Sequence, residues 1–239
     1  RLRYVRRAQR SIKKERDRSD ELLLNILPAE IATELKRDGI AQAKRYEQAA
    51  ILFTDFKGFT AIAAKMPATE LVKEINVCFT EFDKICDRHN IEKIKTIGDA
   101  YMAAGGIPVP DGRSAVQAVK AALEMQQFMK KRAQERSQEG LPSFQMRAGI
   151  HVGPIVAGIV GVRKFQYDIW GDTVNLASRM ESGGQTGKVN ISPKTYEILK
   201  DEPEFVFKER GKIAAKGKGE VEMWFVEKAP QQSDSGTSA

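Results

Sequence analysis

The sequence predicts an α+β fold, an antiparallel sheet with helices packed against it, and three observations carry that prediction. Residues 49–54 form a continuous apolar run of strand length ending at Asp55, the pattern of a buried strand. Residues 91–97 and 101–104 are strand-like and flank Gly98-Asp99, a dipeptide that favours a tight hairpin turn. Residues 69–88 and 114–136 carry apolar side chains at helical spacing, through Leu71, Val72, Ile75, Phe79 and Phe82 in the first and Ala115, Val119, Ala122, Leu123, Met125 and Met129 in the second. Two further strands are expected at 144–152 and 155–160, joined at Gly153-Pro154. The order is strand, helix, hairpin, helix, strand: a ferredoxin-like βαββαβ core with helices on one face of the sheet.

Residues 1–24, without Gly or Pro, read as helix. Leu2, Val5, Ile12, Ser19, Leu23 and Ile26 fall on a and d heptad positions, while Gln9 and Arg16 interrupt the same seam. That is a weak coiled-coil pattern, equally compatible with a single solvated helix. After Pro28 a short amphipathic helix presents Ile31 and Leu35 on one face and ends at Gly39. In 91–97, strict alternation places Ile91, Lys93, Lys95 and Ile97 on one face and Glu92, Ile94 and Thr96 on the other. Downstream, strands are expected at 165–169, 189–191, 205–208 and 221–226, with helices at 172–181 and up to Leu199. The composition from Pro230 predicts a disordered tail. The domain reading is therefore a signalling helix over 1–27, a transducer segment over 28–44, a catalytic body over 45–228 and a tail over 229–239.

Of 239 residues 41% are hydrophobic, enough for a sizeable core. No run approaches the ~18 apolar residues of a membrane span, and no signal peptide is visible. The net charge of +7 invites a nucleic-acid reading, but its position argues against one. Residues 1–18 hold nine basic and two acidic side chains, and the rest of the chain balances at thirty of each. The basicity belongs to the N-terminal arm, as a solvated helix face or a juxtamembrane segment, and nucleic acid is not an expected partner. Cys78 and Cys86, the two cysteines, lie eight apart on one predicted helix, about 12 Å along its axis and too far for a disulfide; buried thiols in a reducing compartment are expected. The chain opens on Arg1 rather than Met and is expected to be a fragment of something longer.

Asp55 and Asp99 are the first candidates for chemistry. One ends a buried strand and the other sits at a hairpin tip in the same sheet. Two carboxylates at adjacent strand ends can hold a pair of hard cations. Alone, each has a plainer reading as a turn or cap residue, as Lys95 does as a strand lysine and Asp168 as a residue before a helix. Asn175 and Arg179, four apart, share one helix face with Asp172. His89 and His151 are too isolated to form a metal site or a triad, and His151 reads as a structural strand residue. Neither 215–219 nor 183–188 has the spacing of a Walker A loop.

The flanking words decide among these readings. Phe53-Thr54-Asp55-Phe56-Lys57-Gly58-Phe59-Thr60, then Glu92-Lys93-Ile94-Lys95-Thr96-Ile97-Gly98-Asp99-Ala100-Tyr101-Met102, then 165–180 with Asp168-Ile169-Trp170-Gly171-Asp172-Thr173-Val174-Asn175-Leu176-Ala177-Ser178-Arg179 resemble the class III adenylate cyclase family in order and spacing. The resemblance covers about residues 45–228, and 22–31 look like the transducer that precedes many such domains. It implies a palm-like fold and conversion of ATP to cyclic AMP with two divalent cations, Mg²⁺ or Mn²⁺. It implies metal ligation by Asp55, Asp99 and the backbone carbonyl of Phe56, and adenine recognition by Lys95 and Asp168, with Ile169 and Trp170 beside them. Lysine suits adenine N1 and aspartate its exocyclic amine; the guanylate cyclases of the family place other residues there. Asn175 is implied to orient the ribose and Arg179 to stabilise the phosphate in flight, an arginine role because the group stays charged and binds two oxygens. Arg147 and Lys216, with Lys218 a less certain helper, match triphosphate contacts. The resemblance further implies a head-to-tail homodimer with two shared sites, a cytoplasmic location, and an upstream sensor that sets activity. A membrane tether through a preceding region is left open.

Overall fold

The computed structural model describes residues 2–215 and 219–230. The elements run α1 (Leu2–Leu24), α2 (Ala29–Asp38), β1 (Lys44–Lys57), α3 (Phe59–Ala63), α4 (Ala68–Arg88), β2 (Ile91–Ile97), β3 (Ala100–Gly105), α5 (Ser114–Gln138), β4 (Gln145–Ile159), β5 (Tyr167–Trp170), α6 (Asp172–Ser182), β6 (Val189–Ile191), α7 (Pro193–Leu199), β7 (Phe205–Ala215) and β8 (Gly219–Lys228). Lys216, Lys218 and the tail beyond Pro230 lie outside the described residues, so neither their predicted roles nor the predicted disorder is addressed. No described helix is long and apolar enough to cross a membrane.

The strands form one sheet in the order β2-β3-β1-β4-β6-β8-β7, with β5 pairing beside β4. The first four, alternating with α4 and α5, make the expected βαββαβ core. Extended backbone at β1 follows from its apolar run, since Ala49, Ala50, Ile51 and Leu52 are all fully buried. Burial on both faces requires cover on both faces; the two core helices share one face, as expected, and added elements cover the other. Ala50, Leu52 and Phe56 pack with Phe82 and Ile85 of α4 and with Ala118, Val119 and Met125 of α5. Ala49, Ile51 and Phe53 point the other way and pack with Ile31 and Ala32 of α2 and Ala177 of α6. α2 and α6 therefore close the second face.

Two local findings differ from the sequence reading. Gly153-Pro154 does not divide two strands; β4 continues through it. Between the pairs Tyr46↔Ile155 and Ala49↔Gly153, Glu47 and Gln48 of β1 oppose Pro154 alone. A bulge of this kind lets a strand tolerate a proline that lacks an N–H. The second bulge lies in β2, where the register shifts between Lys93 and Lys95. It breaks the predicted alternation: Lys93 pairs with Asp83 of α4, whereas Lys95 reaches Asp168 of β5.

α1 leaves Val5 and Ile12 of the heptad seam exposed, as is Ile26 just beyond it, and Leu23 packs against the second core. Lys36 of α2 pairs with Asp20 of α1 at 2.5 Å. α2 ends where expected, Gly39 taking a left-handed φ of 73° and donating its N–H to the Leu35 carbonyl. Cys78 and Cys86 are free and buried, and burial pushes both thiols up to about 12.

Candidate nucleotide and metal site

Asp55 stands at the end of β1, anchored by its neighbour. Phe56 turns its ring into an aromatic cluster, stacking on Phe144 at a centroid separation of 4.7 Å and on Phe79 at 6.0 Å. Strand alternation then sends Asp55 to the opposite face, where half-buried Arg147 is its register partner on β4. The guanidinium grips the carboxylate with both arms, Nε to Oδ1 at 3.0 Å and Nη2 to Oδ2 at 2.5 Å, the fork geometry that makes arginine–carboxylate pairs strong. Its third nitrogen, Nη1, donates to the Ser182 carbonyl at 3.0 Å.

Asp99 is brought to the same strand end by the β2–β3 hairpin, whose turn uses a left-handed φ of 61° at Gly98. Asp99 Oδ2 accepts from the Phe56 N–H at 3.2 Å. The Asp99 carboxylate thus reaches the end of β1 where Asp55 stands, and the two form the candidate donor set. Among the described residues no cluster of three or more His, Cys, Asp or Glu side chains forms a self-sufficient metal site. That donor set still fits a small hard cation, which is commonly held by one or two carboxylates and completed by substrate phosphates.

Lys95 Nζ donates to Asp168 Oδ2 at 2.6 Å, both side chains being partly buried. The other oxygen of Asp168 accepts from the Ile169 N–H at 2.8 Å, which fixes the carboxylate plane. Ile169 is buried in the second core and Trp170 is 41% exposed. On α6, Asn175 is exposed and Arg179 half-buried. Arg179 Nη1 is buried with no hydrogen-bond partner among the described residues. A buried guanidinium nitrogen left without an acceptor is costly.

One side chain went unnoticed in the sequence. Glu181, 7% exposed, places Oε1 at 3.0 Å from Arg147 Nη2, within ion-pair reach but without hydrogen-bond alignment. Burial, and then the neighbouring Asp55 carboxylate, push the Glu181 carboxyl up. The available signal was its position: an acid in the last turn of a helix opposes the helix dipole. The histidines hold no catalytic arrangement. His151 is buried with Nδ1 at 2.6 Å from Ser192 Oγ, and His89 Nε2 lies 2.6 Å from Glu124.

A carboxylate pair at one strand end, a lysine–aspartate pair and an arginine-bearing helix are the parts of a nucleotide-handling site. Residues 41–228 match the family described as adenylate and guanylate cyclase catalytic domain, and the chain belongs to it. An adenylate cyclase of Mycobacterium bovis is 41% identical over 226 residues, covering 94% of this chain and 50% of that protein. Human guanylyl cyclase C is also 41% identical, over 215 residues, covering 89% of this chain and 20% of that protein. The chain thus spans half or less of the length of these relatives. The crystal structure of the adenylyl cyclase CyaB from P. aeruginosa superposes with a TM-score of 0.74 at 29% identity, covering 81% of this chain and all of that one. The family is generally dependent on divalent metal ions.

Proposed function

We propose that the chain is the catalytic domain of an adenylate cyclase that converts ATP to 3′,5′-cyclic AMP and pyrophosphate at sites shared across a homodimer. The single observation that carries the substrate choice is the Lys95–Asp168 pair at 2.6 Å. It sets an ammonium donor beside a carboxylate acceptor, complementary to adenine N1 and its exocyclic amine. Guanine offers O6 and a protonated N1 at those places, a poor match. Overall identity does not make this choice, because the adenylate and guanylyl cyclase relatives stand at the same 41%.

Each residue has a role in this reading. Asp55, Asp99 and the Phe56 carbonyl hold two Mg²⁺ or Mn²⁺ ions. When bound, the cations lower the pKa of the ribose 3′-hydroxyl and neutralise phosphate charge. Asn175 orients the ribose so that its 3′-oxygen lies in line with the α-phosphorus. Arg179, with its unpartnered Nη1, takes up charge that develops on the α-phosphate. Arg147 and Lys216 hold the departing pyrophosphate. Positioning and charge neutralisation supply most of the catalysis in such a transfer. The domain works in the cytoplasm, where ATP is at hand, and α1 links it to an upstream sensor.

The test is product analysis on purified protein given ATP or GTP with each metal. Cyclic AMP from ATP is expected to dominate, and Lys95→Ala or Asp168→Ala to abolish cyclic AMP production. A preference for GTP would replace the reading with a guanylate cyclase. No cyclic product with ATP or GTP and either metal would leave a non-catalytic dimerisation module.

A further inference from the structure

Arg147 has two claims on it. A cation held by Asp55 would compete for the carboxylate oxygens that now bind Nε and Nη2. Once those are taken, the guanidinium keeps one hydrogen bond, to the Ser182 carbonyl. Beside it stands Glu181 Oε1, 3.0 Å from Nη2, buried, and accepting no hydrogen bond among the described residues. We propose that Glu181 is a positioning residue, the acceptor onto which Arg147 shifts when a divalent cation occupies Asp55, so that the guanidinium stays at the site facing the phosphates. The proposal rests on the reading of Asp55 as metal ligand and Arg147 as phosphate contact.

The backbone is built for this contact. A Cβ added at Gly149 would fall 1.9 Å from the Glu181 nitrogen and 2.3 Å from the Met180 carbonyl carbon. Gly149 lies two residues beyond Arg147 on β4 and so shares its face. The missing side chain lets the last turn of α6 rest on the strand at the level of Arg147. Asn190 adds a second clamp, its Nδ2 donating to the Met180 carbonyl at 2.8 Å. Glu181 and the Ser182 carbonyl are thereby fixed relative to Arg147 through main chain. The same helix carries Asn175 and Arg179, which under the shared-site reading serve the other nucleotide of the dimer.

The experiment is calorimetric binding of 3′-deoxy-ATP, which lacks the attacking hydroxyl, to the full chain with Mn²⁺, run as a double-mutant cycle. Glu181→Leu is expected to weaken binding about five- to tenfold, the scale of one lost charge-assisted hydrogen bond. Glu181→Gln, whose amide oxygen still accepts, is expected to retain most of the affinity. In an Arg147→Met background, Glu181→Leu is expected to add little, because the residue acts through Arg147. Additive losses, or no loss in Glu181→Leu, would overturn the proposal. Thermal unfolding is followed alongside, and Glu181→Ala replaces leucine if that variant does not fold. The underlying reading is checked separately: Asp55→Asn should weaken Mn²⁺ binding by electron paramagnetic resonance, and Arg147→Met should weaken 3′-deoxy-ATP. If both are silent, the assignment of the site fails and the proposal with it; if both respond and the cycle is additive, the role of Glu181 alone falls.

Discussion

Glu92 sits on β2 three residues before Lys95, facing a cavity of about 230 Å³ lined also by Glu30, Asp87, Asn90 and Pro108. Burial, followed by the charges of Glu30 and then Asp87, pushes its carboxyl up to about 7 from an ordinary 4.5. Between those values the folded chain keeps a proton that the unfolded chain has released. The stabilisation from holding that proton is present below about pH 4.5 and is lost as pH rises toward 7. Glu92→Gln removes the burdened charge and is expected to stabilise the protein at pH 8 by on the order of 1–2 kcal/mol, allowing for partial exposure. At pH 4.5 the gain should nearly vanish. Thermal unfolding at the two pH values checks this, and an equal shift at both would refute it. Legibility at this scale followed chemistry that sits in local words. Asp55, Asp99, Lys95 and Asp168 stand in recognisable stretches, and the structure joins Lys95 to Asp168 and Asp99 to the main chain beside Asp55. The aim of Lys95 was not legible, because a bulge rather than side-chain period turns it toward β5. Glu181 was not legible either, since its partners lie across the fold on β1 and β4.

At the level of elements, the seat of α6 on β4 shapes the site. Two glycines permit it in different ways. At Gly149 a Cβ would meet helix backbone at 1.9 Å, and at Gly153 it would meet Thr173 Oγ1 at 2.5 Å. Backbone cannot step aside without shifting the whole helix, whereas a threonine can rotate at the cost of its 2.7 Å hydrogen bond to the Pro154 carbonyl. Gly149→Ala is therefore expected to destabilise by about 3 kcal/mol or more, at the upper end of overpacking costs. Gly153→Ala should cost about 1 kcal/mol, the value of one hydrogen bond. Denaturant midpoints compare them, and equal costs would mean that α6 does not press on β4 as described. The periodicity of 172–181 identified the helix but not which face of the sheet it covers, because a helix period reports an apolar side and not its destination. The apolar run of β1 already implied two covered faces, since no polar alternation interrupts residues 49–54.

Across the whole molecule the candidate groups fall into two sets. Arg147, with Asp55 as its partner, lies near the start of β4, while Asp168 on β5 pairs with Gly158 near the other end of that strand. Lys95 joins Asp168 rather than Asp55. The proposed cation ligands and the proposed base-reading pair of one chain are thus separate clusters, and a two-fold dimer would give each nucleotide one cluster from either chain. Asn175 and Trp170 are exposed on the single chain, available to a partner. Mixing inactive chains tests this arrangement. Asp55→Ala disables the cation half and Lys95→Ala the base half, so each homodimer should be inactive toward ATP. In a mixed dimer one site combines both lesions and the other combines neither. Random pairing of equal amounts makes half the dimers mixed, each with one intact site of two, so recovery of about a quarter of the native activity is expected. The measurement is cyclic AMP production against mixing ratio, with a maximum near equal amounts. A flat response would place all of these residues in one site per chain and end the shared-site account.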